Sequence, residues 1–456
     1  MKLANLFNDR HFFSQMFRIA LPIAAQNLAL SSLNLVDNIM IGGLGETAIA
    51  GVGLANQYFF LLNLLLFGIV SGSSIFTAQF WGSKDIKNIR KVLGLCIITG
   101  GTGAFLFSIG GFFFPTEILG IFSKDPGVIQ LGTEYLRIVL FSYVITAVTF
   151  AYSFILRSTG NVKTPLVVSV IALGINTVLN YLLIYGYWGL PRLGVAGSAV
   201  ATVIARVIEL TMLLWIVYSK KDVVAASIRE MTDMTAGFVK QFFKVTLPVI
   251  LNESMWALGV TMYAIAYARM GTDAIASINI SSTVERIVWV IFMGFGNACA
   301  VMIGHKIGSG DDKLVFAYAK RFAIIGPAAA MLAGFFVILI SPWVLTPYKV
   351  SPIVLEYAQR NLIVYCLFMW AKVFNYINIV GILRSGGDTT FCLMLDTGGV
   401  WLVGVPLVFL GGLVFHLPIY WVYALVQVEE IIKLIIGIPR LASKKWINNL
   451  AVNMNK

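Results

Sequence analysis

Charge is scarce in this chain. Only 12% of its 456 residues are charged, against roughly 25% in soluble domains. A soluble protein of this length would need two or three polar surfaces, and too few charges exist to cover them. Cysteine and histidine are scarcer still. Cys96, Cys299, Cys366 and Cys392 stand far apart in apolar stretches, with three histidines in all. No pair has ligand spacing, so a disulfide framework and a zinc site are not expected, and the cysteines read as small buried apolar residues. There is no Walker A sequence, which argues against ATP as an energy source. Gly100-Gly101-Thr102-Gly103 lies inside an apolar run and lacks the strand-turn-helix setting of a nucleotide fingerprint. No Ser-His or Cys-His arrangement has a suitable setting, so the chain is not expected to be an enzyme. The opening MKLANLFNDRHFFSQMFRIALP shows no short apolar core with a small-residue cleavage site, and no removable signal peptide is expected.

What the chain has in abundance is apolar surface. Hydrophobic residues make up 59%, and the mean hydropathy is +0.86. Its 42 glycines suit membrane helices, where small residues allow close packing. A bilayer core needs about 20 mostly apolar residues per helix. Twelve stretches meet this: 14–40, 50–80, 92–114, 133–156, 165–187, 195–218, 241–268, 276–305, 317–345, 355–382, 392–413 and 418–438. The expected fold is an all-α integral membrane protein with twelve transmembrane helices in two pseudo-symmetric six-helix bundles. The lobes run 1–218 and 242–456, joined by a polar cytoplasmic linker, 219–241. No soluble domain fits anywhere.

The net charge of +12 needs no anionic partner. Lys and Arg gather in alternate loops, as in Lys84, Lys87, Arg90 and Lys91, or Lys220, Lys221 and Arg229. The intervening loops hold only Lys124, Arg137, Arg192, Arg269, Lys349 and Arg360. This positive-inside bias puts both termini in the cytoplasm and the protein in the cell membrane. Nucleic acid is not an expected partner; the lipid bilayer is.

The halves repeat each other. Pro22 of FRIALP and Pro248 of FKVTLP are 226 positions apart, and that offset holds for about seventy residues. It pairs Gly45-Glu46-Thr47-Ala48-Ile49-Ala50 with Gly271-Thr272-Asp273-Ala274-Ile275-Ala276. It also pairs Gly82-Ser83-Lys84-Asp85 with Gly308-Ser309-Gly310-Asp311. At offset 227, Leu156-Arg157-Ser158-Thr159-Gly160 matches Leu383-Arg384-Ser385-Gly386-Gly387. Six spans per half give both halves one orientation. Such parallel repeats form transporters with a cavity between bundles.

Ionisable groups inside spans are costly, and so are functional candidates. Asp37 stands at the edge of a first-span stripe of Asn27, Ser31, Asn34 and Asn38. Asn176 and Asn180, four apart, share a face of the fifth span, and Thr202 is in the sixth. All lie in the outer half of the first bundle. One carboxylate among neutral oxygens suits a dehydrated Na⁺ or a proton; helix-packing glue is the plainer reading. In the second half, Glu253, Glu285, Arg286 and Lys372 lie within spans. Glu253 and Lys372 are at similar depth, which predicts a buried pair. Arg206 and Glu209, at i and i+3, read as a self-satisfying pair. Asp396, near the inner end of its span, is expected to be wetted. Trp256, Met262, Tyr263, Tyr267, Trp289 and Met293 are candidates to line a cavity, though packing roles suit each of them too.

These motifs together resemble the MATE family of multidrug and toxic compound extrusion transporters over nearly the whole chain. The resemblance rests on Leu21-Pro22 and Leu247-Pro248, on Asp37 followed by GGLGETAIAG, and on LRSTGNVKTP and LRSGGDTT. Asn176, Asn180 and Gly186 followed by Gly194 to Thr202 add to it. It implies two six-helix lobes and cation-coupled efflux, with the family's N-lobe cation site falling on Asp37, Asn176, Asn180 and Thr202. Some members carry a second acid where this chain has Asn180, so the local charge is halved. Glu253 matches an acid that some members use in the C-lobe; their partner acid on the tenth span is absent, and Lys372 and Val373 stand in that region. The expected function is H⁺ or Na⁺ antiport of amphipathic organic cations by a monomer. No other cofactor is expected, and no metal beyond Na⁺. Alternatives are a lipid-linked oligosaccharide flippase, disfavoured by twelve rather than fourteen spans, and a non-transporting receptor or scaffold.

Overall fold

Each of the twelve expected spans is helical, and no strand occurs among the described residues of the computed structural model. Those residues are 9–453, with the side chains of 33–35 and 453 left out. In chain order the helices of the first half are α1 (Arg10–Gly42), α2 (Glu46–Gly82), α3 (Ile86–Phe113), α4 (Pro115–Gly120), α5 (Pro126–Val139), α6 (Phe141–Ser158), α7 (Lys163–Tyr185) and α8 (Gly194–Ser219). Then come α9 (Ile228–Thr232), α10 (Ala236–Arg269), α11 (Thr272–Gly308), α12 (Asp312–Leu345) and α13 (Pro352–Tyr376). The chain ends with α14 (Thr389–Gly398), α15 (Val405–Phe409), α16 (Ile419–Ala442) and α17 (Leu450–Asn453). Among the described residues, eleven helices are long and apolar enough to cross a bilayer by composition alone. The remaining span, α16, carries Glu429, Glu430 and Lys433 within its apolar run.

Three spans depart from plain α-helix. The fourth breaks at Leu140, between α5 and α6. There the Ser142 hydroxyl donates to the Val139 carbonyl at 2.6 Å, satisfying an acceptor that the break frees. The tenth runs from α13 into a π-helical turn, Ile377–Leu383. The eleventh interleaves α14 and α15 with π-helical turns at Gly399–Gly404 and Leu410–Val414. Such turns occur mostly as local bulges and are frequent at functional sites.

The sequence repeat is also a repeat of backbone geometry. Gly45 and Gly271 both take left-handed φ, 107° and 123°, as do Lys84 and Gly310, at 61° and 77°. One residue later, Asp85 and Asp311 each cap a helix, accepting from Asn88 N at 3.1 Å and Leu314 N at 3.0 Å. The carboxylates satisfy amides that the first turn leaves open.

The chain packs as two compact units. One comprises Ala25–Thr77 and Asp85–Phe243; the other comprises the described residues before Ala25, Ala78–Lys84, and Lys244 onward. The Arg10 end of α1 and the Gly82 end of α2 therefore belong with the second half of the sequence. Length permits this: 33 and 37 residues span about 50 and 55 Å at 1.5 Å per residue, well beyond a bilayer core of about 30 Å. Within that unit the end of α2 crosses α11 with repeat-related residues reciprocally opposed. A methyl group on Gly82 would fall on the His305 carbonyl, and one on Gly308 would fall on the Gln79 carbonyl. A methyl on Gly304 would sit 2.6 Å from Ala78 Cβ.

The linker is docked rather than loose. Ser227 and Glu230 form a capping box on α9. Arg90 of α3 pairs with Glu230, and Lys87 and Lys91 reach Asp233 at 3.4 and 3.5 Å. Gly94 of α3 admits the Met231 carbonyl closely.

Two predictions follow from this packing. Gly308→Ala should lower stability by about 1–3 kcal/mol, the range for overpacking a tight contact, read as thermal unfolding of the purified protein. Gly101→Ala, where an added methyl meets nothing within 4 Å, should not; equal melting of the two variants would overturn the close crossing. The linker contact should depend on pH. Hydrogen bonds from the Ser227 amide and hydroxyl, then from Arg90, hold Glu230 below the usual carboxylate range; the Lys87 and Lys91 ammoniums do the same to Asp233. Depressed carboxyls favour the docked state above that range and lose their contribution as pH falls through the lowered values. The protection of the amides over 223–233 from hydrogen exchange, taken against the intrinsic rate at each pH, should stay high at neutral pH and fall only in acid. Protection that is insensitive to acid would show that the ion pairs do not hold the linker.

Candidate functional site

A polar cavity of about 410 Å³ opens inside the first unit. α1 lines it with Asp37, α7 with Asn176 and α8 with Thr202; Asn180 of α7 is fully buried next to them. The four expected residues meet. Asn180 Nδ2 donates to Asp37 Oδ1 at 2.7 Å and to Asn176 Oδ1 at 3.3 Å. Asn176 Nδ2 donates to Thr202 Oγ1 at 3.5 Å, and Thr202 donates on to the Ser198 carbonyl at 3.0 Å. Asn180 is fully buried, and its Oδ1 has no partner. A buried acceptor without a donor is costly. Beside a carboxylate and a hydroxyl, it suits a cation that supplies positive charge from the cavity side.

The rest of the expected first-span stripe divides. Asn38 lines the cavity with Asp37. Ser31 is exposed and donates to the Asn27 carbonyl of its own helix at 3.0 Å. The Asn34 side chain lies outside the described residues. Asn56 and Asn63 of α2 also line the cavity, with Tyr135, Ser142 and Thr146. Sequence reading passed over them, although the seven-residue spacing of the two asparagines marks one helix face.

Arg206 and Glu209 pair as expected, at 2.7 Å, and both line the cavity. They are not isolated. Ser169 donates to Glu209 at 2.9 Å, Gln26 donates to Ser169 at 2.9 Å, and Arg157 donates to Gln26 at 2.6 Å. The expectation of a local pair missed this chain because its links come from four different helices.

In the second unit the structure corrects one expected pairing. Glu253 is bound by Arg384, Nη1 to Oε1 at 2.6 Å, and not by Lys372. Arg384 lies two residues beyond the expected tenth span, 355–382. The π-helical turn carries the helix on past Ile377, and Arg384 is buried at its end. The Lys372 ammonium instead lies over the rings of Trp289 and Tyr365, at 5.4 and 5.3 Å. Glu285 accepts from the Tyr423 hydroxyl at 2.8 and 2.9 Å and has Lys372 as a charged neighbour. Of the expected cavity-lining aromatics, Tyr263 and Tyr267 are buried, whereas Trp256 is exposed. Asp396 is only slightly exposed and pairs with Lys433 at 3.2 Å. Glu429, Glu430 and Lys433 were singled out by no sequence argument, although no other expected span holds three charges within one helical turn and a half.

These features define a polytopic membrane protein built from a duplicated six-span unit, with a carboxylate-bearing cavity in the first unit. The chain belongs to the MatE family, whose model matches residues 22–182 and 246–410, once in each half. It is similar to the probable multidrug resistance protein NorM of Thermotoga maritima, 22% identical over 444 residues, covering 95% of this chain and 92% of that one. It is also similar to the multidrug resistance protein NorM of Burkholderia vietnamiensis, 27% identical over 408 residues and covering 85% of each. Among solved structures, a Vibrio cholerae MATE transporter superposes with a TM-score of 0.87 at 18% identity, over 96% of this chain and 98% of that one.

The corrected pair is testable. Glu253→Gln leaves Arg384 buried without its partner and should cost about 3–5 kcal/mol, the range for breaking a buried ion pair. Adding Arg384→Met should recover much of that loss, whereas adding Lys372→Met should not. Thermal unfolding of the single and double variants decides between them, and recovery through Lys372 would restore the earlier pairing.

Proposed function

We propose that this protein is a secondary active multidrug transporter that exchanges H⁺ or Na⁺ for amphipathic organic cations and moves them out of the cell. The observation that carries this reading is the Asp37 carboxylate, held by Asn180 in a polar cavity beside Asn176 and Thr202. One carboxylate among neutral oxygens matches one monovalent cation. Asp37, Glu209 and Arg206 sum to a single formal negative charge around the cavity, which favours cationic cargo. Phe59 and Phe60 line the same space and suit the apolar part of an amphipathic substrate. The names of the NorM relatives support multidrug transport.

In this reading Asp37 alternates between the coupling ion and the field of the organic cation, and Asn180, Asn176 and Thr202 are neutral ligands. Glu253, Glu285 and Lys372 contribute to coupling in the second unit. The loop distribution of Lys and Arg supports a cell-membrane protein with both termini cytoplasmic. The chain works as a monomer, each copy carrying its own cavity.

Proteoliposomes loaded with ethidium and given an imposed pH or Na⁺ gradient test the reading. Asp37→Asn should abolish flux under whichever gradient drives it, while the protein remains folded. Wild-type flux in that variant would overturn the assignment. Asn180→Ala removes a hydrogen bond to a charged group, worth about 1.5–3 kcal/mol. It should weaken the response to the driving ion by roughly 10- to 100-fold, with a smaller effect on ethidium binding. Asn180→Asp should keep transport. Equal losses in ion response and ethidium binding would make Asn180 a packing residue.

A further inference from the structure

The second unit contains a charge imbalance that the transport reading leaves unused. Lys433 Nζ lies 3.2 Å from Asp396 Oδ1, 3.4 Å from Glu429 Oε1 and 3.5 Å from Glu430 Oε1. The four side chains are 4%, 15%, 7% and 10% exposed, in the order Lys433, Asp396, Glu429, Glu430. Three carboxylates therefore face one ammonium where water is nearly absent. Unpaired charge in such a place costs several kcal/mol per ion.

Among the described residues no second cation pairs with them. The other titratable groups facing the cluster are Tyr263 and Tyr267 on α10, Tyr365 on α13, Cys392 on α14 and Arg384. Arg384 is bound to Glu253, and Lys372, the nearest other cation, lies over the Trp289 and Tyr365 rings beside Glu285 and makes no ion pair with the cluster. A metal ion does not fit either. Lys433 already fills the point where the carboxylates converge, and no metal-holding group of His, Cys, Asp and Glu occurs among the described residues.

The hydrogen bonds separate the three carboxyls by their neighbours. Glu429 accepts from the Tyr263 hydroxyl at 2.5 Å on one oxygen and from Lys433 on the other, and Glu430 also has a donor at each oxygen, Lys433 and Asn375. Asp396 is the most exposed of the three acids. Glu430 has the longest contact with Lys433, and its Oε2 accepts from Asn375 Nδ2 at 2.7 Å. Asn375 is 3% exposed, and its Oδ1 has no partner. The Asn375 oxygen lacks a donor, and a protonated Glu430 is the neighbouring group that can offer an O–H.

We propose that Glu430 carries an exchangeable proton, so that Asp396, Glu429, Glu430 and Lys433 form a proton-binding site in the second unit, separate from Asp37. The proton satisfies the Asn375 oxygen and removes one of the two excess negative charges; Asp396 carries the other at the more exposed edge. Use of this site in a transport cycle rests on the antiport reading, but the existence of the site does not.

The test is made on full-length protein in lipid nanodiscs, in an Asp37→Asn background that removes the other candidate. Infrared absorbance of protonated carboxyl groups at neutral pH is measured together with a potentiometric count of bound protons. Glu430→Gln should remove one protonated carboxyl and one titratable proton. Lys433→Met takes away the cluster's ammonium and should have the opposite sign in the infrared, adding a protonated carboxyl at neutral pH. The two variants move the carboxyl band in opposite directions, so either one carries the test if the other fails to fold. An unchanged infrared band and proton count in a folded variant would mean that all three acids are ionised and the cluster is a static ion network, which overturns the proposal.

Discussion

Lipid offers no solvation to a charge, and the disposition of every buried ionisable group in this protein answers to that constraint. Arg384 closes on Glu253, Arg206 on Glu209, and Lys433 on three acids at once. Asp37 and Glu285 differ, since their direct partners are neutral, an amide and a phenol hydroxyl. Asp37 also has Arg206 as a charged neighbour, but no cation bonds to it directly, and it opens onto a cavity. A carboxylate without a directly bonded cation gains most from an incoming one.

Duplication supplies the frame on which these pairs are hung. Repeat-related residues recur in the same backbone state, with left-handed positions at 45 and 271 and at 84 and 310, and aspartate caps at 85 and 311. Arginine recurs as well: Arg157 reaches Gln26, and Arg384 reaches Glu253. Gln26 and Glu253 stand at neighbouring rather than identical repeat positions. Each half thus ties the end of its fourth span to its first, once through an amide and once through an acid. The two copies keep one scaffold while differing in charge.

The spans were legible because twenty-residue apolar runs leave no other reading, and the repeat because glycine and proline punctuate it at a fixed offset. Asp37, Asn176, Asn180 and Thr202 could be grouped because the depth of a residue in a straight helix is a matter of counting. Counting fails where the helix is not a plain α-helix. The π-helical turn at Ile377–Leu383 keeps Arg384 inside the protein, so depth alone selected Lys372 as the partner of Glu253. The break at Leu140 leaves no proline or glycine in the sequence to mark it. Glu429, Glu430 and Lys433 went unremarked because they were absorbed into an acceptable apolar run; their meaning depends on Asp396, Tyr263 and Asn375 arriving from other helices.

The chain from Arg157 to Glu209 has a property that its individual distances do not express. Each group in it donates in the same sense: guanidinium to amide, amide to hydroxyl, hydroxyl to carboxylate. A run of bonds oriented head to tail polarises each member further and strengthens the next. Its positive end bears on Glu209, so that acid is stabilised as an anion by a line of dipoles rooted in a distant guanidinium. The cavity wall thereby holds its acid through fixed dipoles as well as through Arg206. Turning Gln26 end for end would set two acceptors against each other, so the amide acts as a rectifier that fixes the electrical direction of the whole line.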